Sequence, residues 1–268
     1  MMNNNIRFEL SFKNIPQLDE KLNFCKLNNI KNINIPCKGL IRKDLFNSTI
    51  KYILKNYNEF NVTYHYSLYH QYSKNKEKSY QEFLDFIKSS HTNKNYEILL
   101  VSGSNKKKNF DSVDVLAYLK KEKNLNVKLG IAYNPYLKKY YNISSERERF
   151  EKKFSTGLIN SIWFQYGTDI KVLQKEVTYL KKIAKEEKLN LFGSLFIPSK
   201  QFIARFKFRP WKEVYISEKC LYALENFFDF TKDLVSFYKK NNITPLIESD
   251  FASLEKLYSV SRFLKNER

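Results

Sequence analysis

Ile30-Lys31-Asn32-Ile33-Asn34-Ile35-Pro36 is a β-branched run that alternates with polar residues and stops on a proline. A period of two puts Ile33 and Ile35 on one face of a strand and Asn32 and Asn34 on the other. Proline has no backbone N–H to give to a neighbouring strand, so the strand ends there. The same punctuation returns at Pro135, after Ile131 to Asn134, and at Pro198, after Leu195 to Ile197. In a chain with six prolines and six glycines, each of these stops is informative.

Extended outward, this reading predicts strands near Ile6–Ser11, Ile30–Pro36, Phe60–Tyr66, Tyr96–Ser102, Val127–Tyr133, Ile159–Gln165, Leu189–Ile197 and Thr244–Glu248. Between them, apolar residues at threes and fours predict helices over Lys43–Asn56, Ser79–Ser89, Ser112–Lys121, Arg147–Ser155, Ile170–Glu187, Glu218–Lys240 and Leu254–Leu264. Strands alternating with helices imply right-handed crossovers and a parallel sheet, and eight such units close into a TIM (β/α)8 barrel. The 268 residues match the roughly 250 typical of that fold and suit a single catalytic domain spanning residues 1–268. An open, doubly wound sheet is the competing arrangement, but no GxGxxG follows the first strand.

The strand faces favour closure. Phe8, Leu10 and Phe12 oppose Arg7, Glu9 and Ser11, and Val62, Tyr64 and Tyr66 oppose Thr63, His65 and Ser67. Apolar faces of this kind meet the helices, and the polar faces line the barrel interior. The sixth strand is mixed, with Ser161, Trp163 and Gln165 opposite Ile162 and Phe164.

Composition narrows the function. No apolar run reaches membrane-span length, and the first residues lack the apolar core of a secretory signal, so the expected setting is cytoplasmic, with no membrane partner. Cys25, Cys37 and Cys220 are widely spaced and outside any zinc-binding pattern, which predicts reduced thiols and no metal. The net charge of +19 raises the alternative of a basic nucleic-acid-binding protein. Lysine is spread along the whole chain, apart from the short cluster Lys106 to Lys108, and no zinc-finger, helix-turn-helix or RNP-type motif accompanies it. The expectation is therefore no specific nucleic acid, and a surface suited to an anionic small molecule. Homo-oligomerisation is left open.

Chemistry in such a barrel gathers at the C-terminal ends of the strands. Those ends nominate Glu9, His65, the run Ser102-Gly103-Ser104, Asn134, Gln165, and Glu248 or Asp250. A carboxylate inside a barrel costs several kcal/mol unless paired or protonated, so Glu9 is either a proton donor with a raised pKa or half of an ion pair with Arg7 or a lysine. His65 suits proton carriage, ligand contact or a structural hydrogen bond. Ser102-Gly103-Ser104 suits close approach of a flat or phosphorylated ligand, or a tight βα turn.

Taken in order from about Ile6 to Asp250, these segments resemble the methylenetetrahydrofolate reductase family. Arg7-Phe8-Glu9-Leu10 is similar to its SFEF opening strand, Tyr64-His65-Tyr66-Ser67 to its PHLTC segment, and Gly130-Ile131-Ala132-Tyr133-Asn134-Pro135 to its VA-YPE stretch. Val101-Ser102-Gly103-Ser104 stands where the family has LRGD, and Arg149, Lys153 and Gly157 match its LxxKxxAG helix. The resemblance implies reduction of 5,10-methylenetetrahydrofolate to 5-methyltetrahydrofolate with bound FAD and NADH or NADPH as reductant. It makes Glu9 the catalytic acid. His65, Ser102, Gly103, Ser104, Ala132, Tyr133, Arg149 and Lys153 become flavin contacts, and Gln165 and Phe202 become folate contacts. Two departures stand out: Ser104 occupies the place of the aspartate beside the flavin ring, and Pro36 that of a usual threonine. They motivate a second reading, a flavin-free or otherwise divergent folate-dependent one-carbon enzyme on the same barrel.

Overall fold

The computed structural model describes residues 6–39, 41–90, 95–102, 111–122, 125, 127–137, 146–184, 188–249 and 253–265. Its elements run β1 (Arg7–Glu9), α1 (Ile15–Leu27), β2 (Asn32–Ile35), α2 (Lys43–Asn56), β3 (Asn61–Ser67), α3 (Leu68–Gln71), α4 (Lys76–Ser90), β4 (Tyr96–Val101), α5 (Ser112–Leu119) and β5 (Leu129–Tyr133). They continue with α6 (Glu146–Phe154), β6 (Ile159–Phe164), α7 (Ile170–Ile183), β7 (Asn190–Leu195), α8 (Lys200–Phe208), α9 (Glu218–Tyr222), α10 (Leu224–Asn241), β8 (Ile243–Ile247) and α11 (Leu254–Lys265). The eight strands form a closed parallel barrel in chain order, a TIM barrel. No helix among the described residues is long and apolar enough to cross a membrane.

Each strand lies where the alternation and the prolines predict it. The helices differ in four places, one of them the short α3 directly after β3, where Ser67 accepts from His70 N. The stretch before Ile30 forms α1, whose start is set by Asn14, which accepts from Gln17 N, and by a proline in the first turn. The single helix expected over Glu218–Lys240 is two helices, because Ala223 is extended (φ −133°, ψ 139°) and serves as the end of α9 and the start of α10. A further helix, α8, follows Pro198, with Ser199 accepting from Phe202 N at its start.

The chain divides into two compact units. The first, Met1–Ala132 with Arg149–Asn160, holds β1 to β4 and most of β5. Its register aligns Glu9 with Asn34, Asn34 with Thr63, and His65 with Leu99. Phe8, Leu10, Ile33, Ile35, Tyr64 and Ile98 are buried, as the alternation predicts. Helix α2 meets this layer through Phe46, Thr49, Ile50 and Ile53, a stripe at helical spacing. At roughly 25 cal/mol per Å² of apolar surface, enclosing each of the large residues contributes about 1.5–3 kcal/mol.

The second unit, Tyr133–Glu148 with Ser161–Arg268, holds β7, β8 and most of β6. Leu195 pairs with Ile247 and Gly193 with Pro245. Helix α10 packs by Phe227, Thr231, Leu234, Val235 and Tyr238, and ends at Asn242 in the left-handed region (φ 55°). The Tyr238 ring lies against Gly193 and its hydroxyl donates to Ser194 O at 2.8 Å, a close approach that requires the absence of a side chain at residue 193.

Candidate functional site

The first unit brings its polar strand faces into one buried chain of contacts. Arg7 is almost fully enclosed and donates through Nε to Asn34 Oδ1 at 2.7 Å, and through Nη2 to the carbonyls of Ile33 at 2.8 Å and Asn61 at 2.9 Å. Burial pushes its pKa down to about 10, with the Glu97 carboxylate pulling the other way, so it stays cationic at neutral pH. Asn34 Nδ2 lies 2.7 Å from His65 Nε2, and His65 Nδ1 faces Glu9 Oε2 at 3.6 Å. Glu9 Oε1 is paired with Lys38 Nζ at 2.6 Å.

This arrangement fixes a proton. A guanidinium only donates, so Arg7 dictates that the Asn34 oxygen faces it and the Asn34 amide nitrogen faces His65. His65 Nε2 must then accept, and the ring proton sits on Nδ1, toward Glu9. The imidazole is neutral: burial drives its pKa down to about 4, against the pull of Glu9 and reinforced by the Lys38 and Arg7 cations.

The structure supplies the lysine of the ion-pair reading: Lys38 Nζ is the partner of Glu9 Oε1. The carboxylate is buried, with a 6% exposed side chain, while Lys38 is 57% exposed. A cation reaching from solvent therefore touches an enclosed carboxylate that also faces a neutral N–H. Neither Asn34 nor Lys38 was singled out by sequence. Asn34 carried a signal in its place on the polar face of β2, opposite Glu9 in register. Lys38 lies in the loop after Pro36, and no periodicity or motif marks it.

Elsewhere in this unit, Ser102 Oγ lies 2.8 Å from Ser112 Oγ and accepts from Ser112 N at 3.0 Å, tying the end of β4 to the start of α5. Gly103 and Ser104 lie outside the described residues. Arg149 is paired with Asp111 at 2.7 Å. Burial would raise the Asp111 pKa, but Arg149 and the N–H groups of Val113 and Asp114, which it caps, hold it below the usual carboxylate range. Lys153 is buried, with Nζ 3.4 Å from Ala132 O at the end of β5. Gly157 ends that helix region at φ 73°.

In the second unit Tyr133 is 1% exposed and donates to Glu176 Oε2 at 2.5 Å, with its ring edge-on to Phe164. It belongs to the packing of β5 against α7. Gln165 N donates to Tyr133 O at 2.9 Å, and its side-chain oxygen accepts from Tyr166 N at 3.0 Å. Asn134 caps its own turn, accepting from Tyr136 N, and donates to Glu213 O at 3.0 Å. Glu248 accepts from the Ser194 hydroxyl. Asp250 lies outside the described residues. Phe202 stacks on Phe196, with ring centres 5.3 Å apart, and meets Trp211 edge-on at 5.4 Å. Trp211 is 40% exposed.

Among the described residues no three His, Cys, Asp or Glu side chains gather to hold a metal ion, and Cys25, Cys37 and Cys220 are free thiols. Gln71 Nε2 lies 3.4 Å from Cys37 Sγ, so Cys37 is packed, and burial raises its pKa.

No family model and no curated protein matches the sequence. Solved structures share its fold. A Clostridium thermocellum protein, itself described as uncharacterized and as binding two copies of 5-methyl-5,6,7,8-tetrahydrofolic acid, is 11% identical over 97% of this chain and 93% of its own, with a TM-score of 0.62. The catalytic domain of a hyperthermophilic chitinase from Pyrococcus furiosus is 12% identical over 98% of this chain and 94% of its own, with a TM-score of 0.54. A catalytic-site mutant of active domain 2 of a thermostable chitinase from the same organism, in complex with chito-oligosaccharides, gives 12%, 98%, 95% and 0.54. At such identity the likeness carries the fold and not the chemistry. The chain is a TIM barrel that shares its architecture with a protein that binds 5-methyltetrahydrofolate and with chitinase domains.

Proposed function

We propose that this chain is a folate-dependent one-carbon enzyme in which Glu9 supplies a proton to the substrate. The carrying observation is the Lys38–Glu9–His65 contact at the C-terminal end of β1: one buried carboxylate, bonded to a half-exposed ammonium and facing the N–H of a neutral imidazole. The folate bound by the C. thermocellum barrel supports the substrate class.

The reaction the resemblance implies is reduction of 5,10-methylenetetrahydrofolate. Protonated Glu9 donates to the folate nitrogen that leaves as the five-membered ring opens, and the resulting iminium carbon takes up hydride to become the methyl group. In the resting chain Lys38 holds Glu9 as an ion pair, and Glu9 takes up its proton from solvent when that half-exposed lysine swings away. The Asn34-held His65 keeps an N–H beside the Glu9 carboxylate through the cycle. Gln165 and Phe202 are the proposed folate contacts.

FAD would supply hydride transfer if bound, but three of the side chains nominated for it are committed elsewhere. Tyr133 is enclosed and bonded to Glu176, Arg149 is committed to Asp111, and Ser102 is committed to Ser112. These commitments favour the flavin-free variant, with hydride coming directly from NADH or NADPH, and no step here runs through a flavin.

Two measurements test the proposal. Glu9→Gln should leave 5-methyltetrahydrofolate binding within a few-fold of the parent while methylenetetrahydrofolate turnover falls by roughly 10²–10⁴, the usual weight of a general acid. Turnover at the parental rate would remove Glu9 from the chemistry. Titration of the purified protein with FAD, followed by absorption, decides between the two variants, since saturable flavin binding would favour the flavoenzyme.

A further inference from the structure

Residues 200–212 of the second unit, KQFIARFKFRPWK, carry five cations and no acid. The first nine form α8, which Ile203 and Phe206 anchor by burial. Its other face presents Gln201, Ala204, Arg205 and Phe208 to water at helical spacing. Phe208, the last residue of the helix, is 92% exposed, and among the described residues it packs on no other ring. Among the same residues the side chains of Lys200, Arg205, Lys207 and Arg209 make no ion pair or hydrogen bond. Past Pro210 the chain turns at Trp211–Val214, where Val214 N donates to Trp211 O at 3.3 Å and Glu213 sits at φ 66°. Asn134 Nδ2 donates to Glu213 O at 3.0 Å and pins this turn. Trp211 is therefore fixed with one side against Phe196 and Phe206 and the rest open to solvent. Two aromatic side chains left in water among unpaired cations match a partner that is anionic at its surface and apolar just beneath.

We infer that the end of α8, with Phe208 and Trp211 at its tip, docks on a bilayer that contains anionic phospholipids. The negative surface potential draws the cations, and Phe and Trp beside them enter the boundary between headgroups and acyl chains. The exposure of Phe208 selects a bilayer over a nucleic acid. A base stacked on that ring covers one face and leaves the other in water, whereas insertion covers the whole ring. Docking of this kind needs no membrane span, so it revises the sequence expectation of no membrane partner without requiring a long apolar helix. The Glu9 chemistry is not required either, because the surface stands on residues of the second unit alone.

Co-sedimentation of the full chain with phosphatidylcholine vesicles, with and without phosphatidylserine, tests the surface. Binding should require phosphatidylserine and should move the tryptophan emission to the blue. The chain has two tryptophans, and Trp163 is buried against Phe192 with ring centres 3.9 Å apart, so the shift reports on Trp211. Net charge alone would draw the chain to any polyanion, and a matched pair of variants separates that effect. Lys207→Glu/Arg209→Glu should weaken binding by roughly tenfold or more. Lys51→Glu/Lys55→Glu, the same change of charge at exposed positions of α2, should weaken it far less. Phe208→Ser should keep the attraction at low salt but lose the binding that persists at high salt. Equal losses in the two charge reversals, or binding without a blue shift, would overturn the inference. Failure to bind the anionic vesicles would also overturn it, and salt-sensitive binding of oligouridylate would then assign the surface to nucleic acid.

Discussion

Asn34 presents an amide N–H to His65 Nε2 at 2.7 Å because Arg7, on its other side, takes the amide oxygen at 2.7 Å. The consequence is a single tautomer, with the His65 proton on Nδ1. The chain has three histidines, so imidazole ¹⁵N spectra resolve it. The parent should show a Nδ1–H, Nε2-lone-pair pattern for His65. Asn34→Asp keeps the acceptor for Arg7 but removes the donor, and should move the proton to Nε2. A parent spectrum with the proton already on Nε2 would contradict the hydrogen-bond direction.

Acid should expose the cost of keeping His65 neutral. Its pKa is about 4 in the folded chain against an ordinary 6.5. Between those values the unfolded chain binds a proton that the folded chain does not, so stability falls as pH drops through this window and is fully present above it. The size is ~3 kcal/mol for a side chain only 12% exposed. Thermal unfolding from pH 7 to pH 4 should show this decline, and His65→Gln should flatten that part of the profile. An unchanged slope in the variant would assign the acid sensitivity to other groups.

Tyr133 and Arg147 converge on Glu176: the phenol at 2.5 Å, and the guanidinium at 3.0 and 2.9 Å through Nε and Nη2. Burial, then the Glu176 hydrogen bond and charge, raise the Tyr133 pKa well above its usual range. Tyr133→Phe should cost about 1.5–3 kcal/mol in denaturant unfolding, the value of a hydrogen bond to a charged group. It should leave folate affinity unchanged, because the ring is enclosed. A selective loss of ligand binding without loss of stability would return Tyr133 to the site.

Gly193 is a steric necessity. A methyl group there would collide with the Tyr238 ring, whose oxygen would be only 2.6 Å away. Gly193→Ala should destabilise by about 1–3 kcal/mol or more, as overpacking does, and Tyr238→Leu in the same chain should recover part of that loss. A neutral Gly193→Ala would mean that α10 shifts freely against β7.

The barrel was legible because its strands are short, alternating and stopped by prolines, as in Ile30–Pro36, which forms β2 with Ile33 and Ile35 buried. Helix α1 escaped because its stripe is short: Leu18, Leu22 and Cys25 lie at helical spacing, but Leu27 at its end is exposed. It begins with an Asn14 cap and a proline. At the site, Glu9 and His65 were visible as polar residues at strand ends, whereas their partners were not. Lys38 reaches Glu9 from a loop, and Asn34 acquires its role only when register sets it beside Arg7 and His65.

The three enclosed thiols give the molecule an internal clock. Cys25 and Cys37 belong to the first unit and Cys220 to the second. Burial raises the Cys25 pKa to about 12, and the thiolate is the reactive form, so an alkylating reagent modifies it only while the surrounding structure is open. Timed alkylation with peptide mass mapping would therefore read the opening rate of each unit separately. Equal rates would mean that the two units breathe as one cooperative body, and unequal rates would identify which half of the barrel yields first.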